Sequence, residues 1–258
     1  MEKITVPDIL GRKGSRKKIS SLTAYDCPTA RIVDAAGIDI ILVGDSLGDN
    51  VLGYPSTLPV TVDEMIHHTK AVSRGVERAL LAVDMPFLSF QLGVDEAVYN
   101  AGRFIKEAGA EAVKIEGGRE IAPAVARMTE VGIPVMGHLG MTPQKRHVFG
   151  RFGVQGKTKE SAERILEDAE ALQEAGVFSV VLELVKGDLA AKITESLRVP
   201  TIGIGSGPDC DGQILVFHDL VGINTEVPRH VRKYADLFEA ASDAVRRYKE
   251  DVESGRFP

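Results

Sequence analysis

Short apolar runs rich in Val, Ile and Leu recur along the chain, and amphipathic stretches separate them. Such runs are typical of strands that a parallel sheet buries on both faces. Their alternation with helical periodicity predicts an α/β fold. The predicted strands are residues 19–24, 39–44, 79–84, 112–116, 134–138, 179–184, 200–204 and 214–220.

The stretches between the runs carry apolar residues at helical spacing. Thr61, followed three residues later by Glu64, forms a capping-box pattern at the start of one of them. Glycines follow the last turn of several others, where a left-handed residue commonly ends a helix. The predicted helices are residues 61–74, 94–108, 121–131, 161–175, 188–197 and 232–253.

Eight strands alternating with helices in 258 residues favour a closed (β/α)8 TIM barrel over an open doubly wound sheet. Residues 6–10, with Pro7 near their start, predict a short extra N-terminal helix that would close the barrel floor. No linker or low-complexity segment interrupts the pattern, so we expect a single domain over residues 1–258.

Composition narrows the possible functions. The chain has 31 Lys and Arg against 37 Asp and Glu, a net charge of -6, which argues against a nucleic-acid partner. No apolar run is long enough to span a bilayer, the first residues lack a signal-peptide core, and the two cysteines provide no disulfide framework. We therefore expect a cytoplasmic protein without a membrane partner.

Acidic residues stand where four of the apolar runs end: Asp45, Asp84, Glu116 and Glu183. In a (β/α)8 barrel the active site lies at these carboxyl ends of the strands. Asp45, Asp84 and Glu116 follow consecutive strands, so their charges would repel unless a cation binds or protons are retained. Ligands that are all oxygen atoms favour Mg²⁺. The alternative is that each carboxylate only caps a nearby helix.

Three more residues are candidates for substrate chemistry. Glu183 lies in an apolar setting that suits a general base, or else pairs with Lys186. Lys114 lies two residues before Glu116 on the same strand face, where it would balance a substrate carboxylate or a neighbouring aspartate. A Schiff-base lysine and an ion pair with Glu116 are the alternatives. Ser46 would donate to a substrate oxygen or cap a turn.

Two further sequence features each allow two interpretations. His138 ends the fifth predicted strand and is either a donor to a substrate oxyanion or a core histidine. The glycine-rich residues 203–207 either let a phosphate approach the backbone or form a tight turn.

Six segments, in order along nearly the whole chain, together resemble the ketopantoate hydroxymethyltransferase family, whose members are also called 3-methyl-2-oxobutanoate hydroxymethyltransferases. Each segment is modest alone, and the combination is specific. The segments are residues 22–26, 43–48, 56–61, 113–118, 137–144 and 211–216.

The resemblance implies a phosphoenolpyruvate/pyruvate-type barrel and a one-carbon transferase of pantothenate biosynthesis. It implies that 5,10-methylenetetrahydrofolate donates a hydroxymethyl group to 3-methyl-2-oxobutanoate, giving 2-dehydropantoate through a Mg²⁺-stabilised enolate. It also implies a homo-oligomer, a decamer. Carried over position by position, it implies three sets of site residues: Asp45, Asp84 and Glu116 for Mg²⁺; Asp45, Ser46, Asp84 and Lys114 for substrate; and Glu183 as proton acceptor.

Two residues depart from the family pattern. Asp49 stands where the family usually has Met, and Ser206 stands where Ala is commoner. Two other functions compete with the implied one: a Mg²⁺-dependent lyase or mutase of the phosphoenolpyruvate/isocitrate type, and a non-catalytic barrel scaffold. The first usually carries a catalytic Cys in a loop, and neither Cys27 nor Cys210 has that context.

Overall fold

The computed structural model describes residues 2–258, and within them eight parallel strands close into a barrel in sequence order. This architecture confirms the predicted (β/α)8 fold. The strands are β1 (Ile19–Thr23), β2 (Ile40–Val43), β3 (Leu80–Asp84), β4 (Ala112–Glu116), β5 (Val135–Gly140), β6 (Ser179–Glu183), β7 (Thr201–Ile204) and β8 (Gly212–Leu215).

Helices follow the strands and precede β1, where the extra N-terminal helix is also confirmed. A 3-10 turn, Pro143–Lys145, follows β5. In residues 2–258, no helix is both long and apolar enough to cross a membrane. The helices are α1 (Val6–Leu10), α2 (Cys27–Ala35), α3 (Leu47–Asn50), α4 (Val62–Ser73), α5 (Val94–Ala108), α6 (Ala122–Glu130), α7 (Arg146–Phe149), α8 (Lys159–Glu174), α9 (Gly187–Ser196), α10 (Phe217–Leu220) and α11 (Leu237–Glu253).

Alternate residues of each strand face the inside of the barrel. In β3, Leu80 and Ala82 belong to the apolar interior, and Asp84 follows them on the same face. The register pairs Asp84 with Lys114 of β4. One strand therefore contributes both to the core and to the polar end of the barrel.

The floor of the barrel, at the amino ends of the strands, is a single apolar cluster. Ile4 and Ile9, from the segment around α1, join the inward-facing residues of the strands in this cluster. The short helix therefore excludes water from the floor, as its position before β1 predicted. The cluster contains Ile4, Ile9, Ile19, Ile40, Leu42, Leu80, Ala82, Ala112, Met136, Phe178, Val181, Ile202 and Ile214.

The sequence signal at the start of α4 is confirmed in detail. Glu64 N donates to Thr61 Oγ1 at 3.2 Å, and Thr61 N donates to Glu64 Oε2 at 2.7 Å. This reciprocal exchange satisfies two backbone groups that a helix start leaves without partners. Such a cap fixes where the β2–α4 connection ends.

The eighth strand lies earlier than predicted. It spans Gly212–Leu215 rather than residues 214–220, and Phe217–Leu220 form a helical turn instead. Gly212 lies so close to β1 that a Cβ there would collide with the carbonyl oxygen of Ile19. The close approach of two strands therefore selects a glycine, which a search for apolar runs does not find.

Two helices also differ from the prediction. Helix α2 was not predicted, although Asp26 caps it by accepting a hydrogen bond from Thr29 N at 2.7 Å. Helix α11 begins at Leu237 rather than at residue 232. The second difference lies at a helix start, where assignments are least certain, whereas the first is a whole helix that the sequence analysis missed.

The chain divides into two compact units, residues 1–214 and 215–258. The first contains the strands up to Ile214 and the candidate site. In the second, backbone hydrogen bonds join the segment before α11 to the turn after α10, as in Tyr234 N to Leu220 O at 2.8 Å. The expectation of a single domain over residues 1–258 stays a prediction.

Candidate active site

Three carboxylates are buried at the carboxyl ends of β2, β3 and β4. Asp45, Asp84 and Glu116 are each only 4% exposed. Asp84 Oδ2 accepts a hydrogen bond from Asp45 N at 3.0 Å, which ties the end of β3 to the loop after β2. The carboxylates predicted from separate strand ends therefore lie in one buried cluster.

Lys114 supplies the positive charge nearest to this cluster. Its Nζ lies 2.8 Å from Asp84 Oδ1 and 3.2 Å from His138 Nδ1. Burial works against its charge, but the negative potential of Asp84, Glu116 and Asp45 outweighs burial and raises the pKa of Lys114. A lysine kept protonated does not suit Schiff-base chemistry, which needs a neutral amine.

His138 connects the cluster to Glu183. Its Nδ1 lies 3.4 Å from Glu116 Oε1, and its Nε2 lies 3.3 Å from Glu183 Oε2. Burial and the nearby Lys114 disfavour an imidazolium, but the contacts with the two glutamates outweigh them and raise the pKa of His138 to about 9. Glu183, which was expected in an apolar setting, is thus one histidine away from the carboxylate cluster.

Asp45 is the carboxylate whose negative charge is least compensated within the cluster. Burial, together with the charges of Asp84 and Glu116, raises the pKa of Asp45 well above its usual range. Burial also raises the pKa of Asp84, although Lys114 counteracts it. For Glu116, burial is outweighed by His138 and Lys114, which lower its pKa. A further cation beside Asp45 would relieve this excess of negative charge.

Gln144 holds two of the carboxylates from the turn after β5. Its Nε2 donates to Asp45 Oδ2 and to the carbonyl oxygen of Met85, both at 2.9 Å. Its backbone N donates to Glu116 Oε2 at 3.0 Å. One residue therefore connects the ends of β2, β3 and β4.

Ser46 lies beside the cluster and is partly exposed. Its Oγ is 2.8 Å from the hydroxyl of Tyr25, which is almost completely buried. Ser46 makes no side-chain hydrogen bond that caps α3. Its hydroxyl is therefore held next to Asp45 by an aromatic partner from the loop after β1.

The backbone around Glu183 is unusually constrained. Leu184 has a φ of 49°, a left-handed conformation that is rare for a residue with a side chain. The Ser206 hydroxyl accepts from Val185 N at 2.9 Å and donates to Leu182 O at 2.7 Å. Ser206, one of the two departures from the family pattern, therefore braces β6 on both sides of Glu183.

Gly140 of β5 also bears on the position of Glu183. It has a φ of 94°, and a Cβ there would collide with the carbonyl oxygen of Glu183. The carbonyl accepts instead from Met141 N at 2.8 Å. A residue without a side chain is needed for this approach of β5 to β6.

Several sequence alternatives are now resolved. Lys186 pairs with Asp188 at 2.6 Å, not with Glu183. Lys114 pairs directly with Asp84 rather than with Glu116. In the glycine-rich segment 203–207 the Ser206 hydroxyl is taken up by β6, which favours the turn over the phosphate site.

Asp49, the other departure from the family pattern, is exposed, and its Oδ1 accepts from Asn50 Nδ2 at 3.1 Å. It therefore lies outside the buried carboxylate cluster, in the first turn of α3.

Two residues of the site carried no assigned role in the sequence. Gln144 and Tyr25 both lie in segments of the family resemblance, but their contacts join residues 99 and 21 positions apart. The signals available were these family segments and the position of both residues in the connections that follow β5 and β1. His138 was noticed, and its position between two glutamates decides against a purely apolar core environment.

The oxygen-rich cluster fits a hard divalent cation. Its donors are carboxylates, which Mg²⁺ prefers, and three of them share the one ammonium of Lys114, which lies 2.8 Å from Asp84 Oδ1. Among residues 2–258 no three His, Cys, Asp or Glu side chains already converge as a complete ligand set. Mg²⁺ usually takes one or two carboxylates and keeps several waters, so the arrangement remains compatible with it.

The fold and the site together define a class: (β/α)8-barrel enzymes with a buried acidic cluster at the carboxyl ends of the strands. The fold is similar to that of phosphonopyruvate hydrolase in complex with oxalate and Mg²⁺, with a TM-score of 0.64 and 15% identity, covering 99% of this chain and 88% of the other. It is also similar to 2,3-dimethylmalate lyase of the PEP mutase/isocitrate lyase superfamily, with a TM-score of 0.60 and 14% identity over 98% and 89%.

A family model described as ketopantoate hydroxymethyltransferase matches residues 3–258, and the chain belongs to that family. Two relatives named 3-methyl-2-oxobutanoate hydroxymethyltransferase support the assignment. The Syntrophobacter fumaroxidans protein is 56% identical over 99% of this chain and 91% of its own length, and that of Ignicoccus hospitalis is 53% identical over 100% and 98%. The predicted class, a one-carbon transferase of pantothenate biosynthesis, is confirmed.

Proposed function

We propose that this protein transfers a hydroxymethyl group from 5,10-methylenetetrahydrofolate to 3-methyl-2-oxobutanoate, giving 2-dehydropantoate. The observation that carries the proposal is the buried array of Asp45, Asp84, Lys114 and Glu116, joined through His138 to Glu183. Such an array provides cation binding, a compensating positive charge and a proton acceptor within one site. Both relatives are named for this substrate.

Asp45 and Asp84 would hold Mg²⁺, with Glu116 completing its surroundings. When bound, Mg²⁺ supplies a Lewis acid that stabilises negative charge on the oxygen of an α-oxo acid. The three carboxylates lie on neighbouring strands that the barrel holds rigidly, so the site needs little rearrangement to receive a cation. Ser46 would donate to a substrate oxygen beside Asp45.

Glu183 is the proposed proton acceptor for the C3 hydrogen of the substrate. The C–H bond breaks, its electron pair moves towards the 2-oxo group, and the carboxylate takes the proton. Lys114 keeps its charge and offsets the negative charge that accumulates on the substrate side. Water hydrolyses the methylene bridge of the folate, which breaks its two C–N bonds and releases tetrahydrofolate and formaldehyde. The C3 carbon then forms a bond to the formaldehyde carbon, whose oxygen takes up a proton and becomes the hydroxyl group of the product.

The proposal extends to the surroundings of the enzyme. We expect a homo-oligomer, a decamer by family resemblance, that works in the cytoplasm. Its partners are the two small-molecule substrates. Sedimentation velocity of the purified protein measures the assembly directly.

The test of the proposed function is turnover of 3-methyl-2-oxobutanoate with a methylenetetrahydrofolate donor, with and without EDTA. We expect product formation that EDTA abolishes and that excess Mg²⁺ restores, because the carboxylate cluster lacks sufficient positive charge of its own. Product formation that withstands EDTA would contradict the metal assignment. Cleavage of the oxo acid without a folate donor would favour the lyase alternative.

A further inference from the structure

We propose that Gln144 is a positioning residue that presets the carboxylate of Asp45 for a divalent cation and thereby sets the affinity of the site for that cation. The inference rests on the proposed function only in requiring that the acidic cluster bind such an ion. Gln144 acts through Asp45 and Glu116, not on the substrate.

The contacts of the Gln144 amide define its orientation. Its Nε2 faces two acceptors, Asp45 Oδ2 and Met85 O, each at 2.9 Å. Only the NH2 end of an amide donates, so these two partners fix which end points into the cluster. The amide oxygen faces the other way, with Gln91 Nε2 at 3.4 Å. Gln144 is 5% exposed, so water does not compete for these bonds.

This orientation has a consequence for Asp45. One carboxylate oxygen is occupied by the amide, which leaves the other oxygen as the one available to a cation. The rotation of the Asp45 side chain is restricted at the same time, so less freedom is lost when an ion binds. The backbone N of Gln144 restrains Glu116 Oε2 in the same way at 3.0 Å.

A neutral amide suits this task better than a cationic side chain. Lys114 already neutralises part of the charge on Asp84. A second ammonium at Asp45 would compete with the divalent ion for the same negative charge. The amide steadies the carboxylate and leaves that charge in place, as residues behind metal ligands commonly do.

The competing explanation is that Gln144 only anchors the turn after β5 to Met85. That role would lower thermal stability on substitution and leave ion affinity unchanged. Gln144→Met separates the two, because it keeps the length of the side chain and the backbone N while removing both donors. Gln155→Met is the matched control, since Gln155 lies on the same β5–β6 connection and its Nε2 donates to Gly153 O at 2.8 Å and to Met141 Sδ, not to Asp45.

The experiment is Mn²⁺ binding to the metal-free full-length protein, followed by electron paramagnetic resonance, with the melting temperature recorded for each variant. We expect Gln144→Met to raise the dissociation constant about 10–100-fold and Gln155→Met to leave it unchanged. A lowered melting temperature with wild-type affinity would overturn the proposal. If Gln144→Met does not fold, Gln144→Asn, whose amide falls short of Asp45, decides the same question.

The outcome is independent of the reaction assignment. If the wild type binds Mn²⁺ and Gln144→Met does not lose affinity, only the role of Gln144 fails. If the wild type binds Mn²⁺ but does not convert 3-methyl-2-oxobutanoate, the proposed function fails and the role of Gln144 is still decided by the titration. A wild type that binds no Mn²⁺ overturns both.

Discussion

The same strands form both ends of the barrel interior, but one end is apolar and the other is charged. Towards the amino ends, Ile4 and Ile9 join inward-facing residues of the strands in an apolar cluster. At the carboxyl ends, Asp84, Lys114 and Glu116 are just as deeply buried, with exposures of 4–5%. Burial of the apolar residues at the floor stabilises the fold. Burial of the charged residues at the carboxyl ends of the strands, which we call the mouth of the barrel, costs desolvation free energy that only ion pairing offsets.

Single strands show how close the two regions are. In β3, Leu80 and Ala82 belong to the floor cluster, and Asp84 lies one inward position further along. In β4, Ala112 is followed in the same way by Lys114. On these strands, about two residues separate the apolar core from the charged site. Substitutions in the core should therefore change stability, and substitutions in the site should change ion binding or turnover.

The largest expected effect belongs to Glu183, at the mouth. Glu183→Gln should slow exchange of the C3 proton of 3-methyl-2-oxobutanoate with solvent by about 10²–10⁴-fold, because the amide cannot accept the proton. Proton NMR in D2O measures this exchange. The melting temperature and the affinity for the oxo acid should change little.

Glu195→Gln is the control for this prediction, because Glu195 is exposed on α9. It should exchange at the wild-type rate. Wild-type exchange in Glu183→Gln would remove the proton-acceptor assignment and leave the mouth without an identified base.

The second effect tests the pairing at the mouth. In metal-free protein, Lys114→Met should cost about 3–5 kcal/mol of unfolding free energy, because it leaves the buried Asp84 carboxylate without its cation. Chemical denaturation at neutral pH measures the loss.

The pH dependence of that loss has a definite sign. Burial raises the pKa of Asp84 above its usual value even with Lys114 present, and removing Lys114 raises it further. A carboxyl whose pKa is higher in the folded state destabilises the fold while ionised, and this penalty fades as the pH falls and the group is protonated. The deficit of Lys114→Met should therefore shrink in acid. Lys106→Met, on the exposed side of α5, should show no deficit at either pH.

The third effect concerns the floor. Leu80→Ala should cost about 2–5 kcal/mol, because it leaves a cavity next to residues that cannot collapse into it. In the folded protein, turnover and Mn²⁺ affinity should stay at wild-type levels. Leu92→Ala is the control, since Leu92 is 66% exposed and should change stability by no more than about 0.5 kcal/mol. A large loss of ion affinity in Leu80→Ala would contradict the claim that the apolar floor and the charged mouth act independently.

The sequence predicts the strands and helices of the barrel well where burial requires apolar residues at regular spacing. Seven of the strand predictions overlap β1 to β7, because most of those strands are buried along their length and contain short apolar runs. The eighth prediction was wrong because Phe217 and Leu220 belong to an apolar run that forms a helical turn, while β8 begins at a glycine. Local hydrophobicity does not record how closely β8 approaches β1.

The site was predicted in part for a related reason. Asp45, Asp84 and Glu116 were recognisable because each follows an apolar run, and the fold brings such ends together. The contacts that organise them were not recognisable. Gln144 reaches Asp45 across 99 residues, and Ser206 reaches Leu182 across 24, and no periodicity in the sequence encodes either distance.

The order of these residues along the chain has a consequence for biosynthesis. The residues proposed to bind or position the ion lie between Asp45 and Gln144, so they are synthesised before the proposed proton acceptor Glu183. A nascent chain that ends within α8 already contains the acidic residues but lacks β6, β7 and β8, so it cannot close the barrel that brings those residues together. The arrangement of the cation site therefore depends on strands that are synthesised after its ligands.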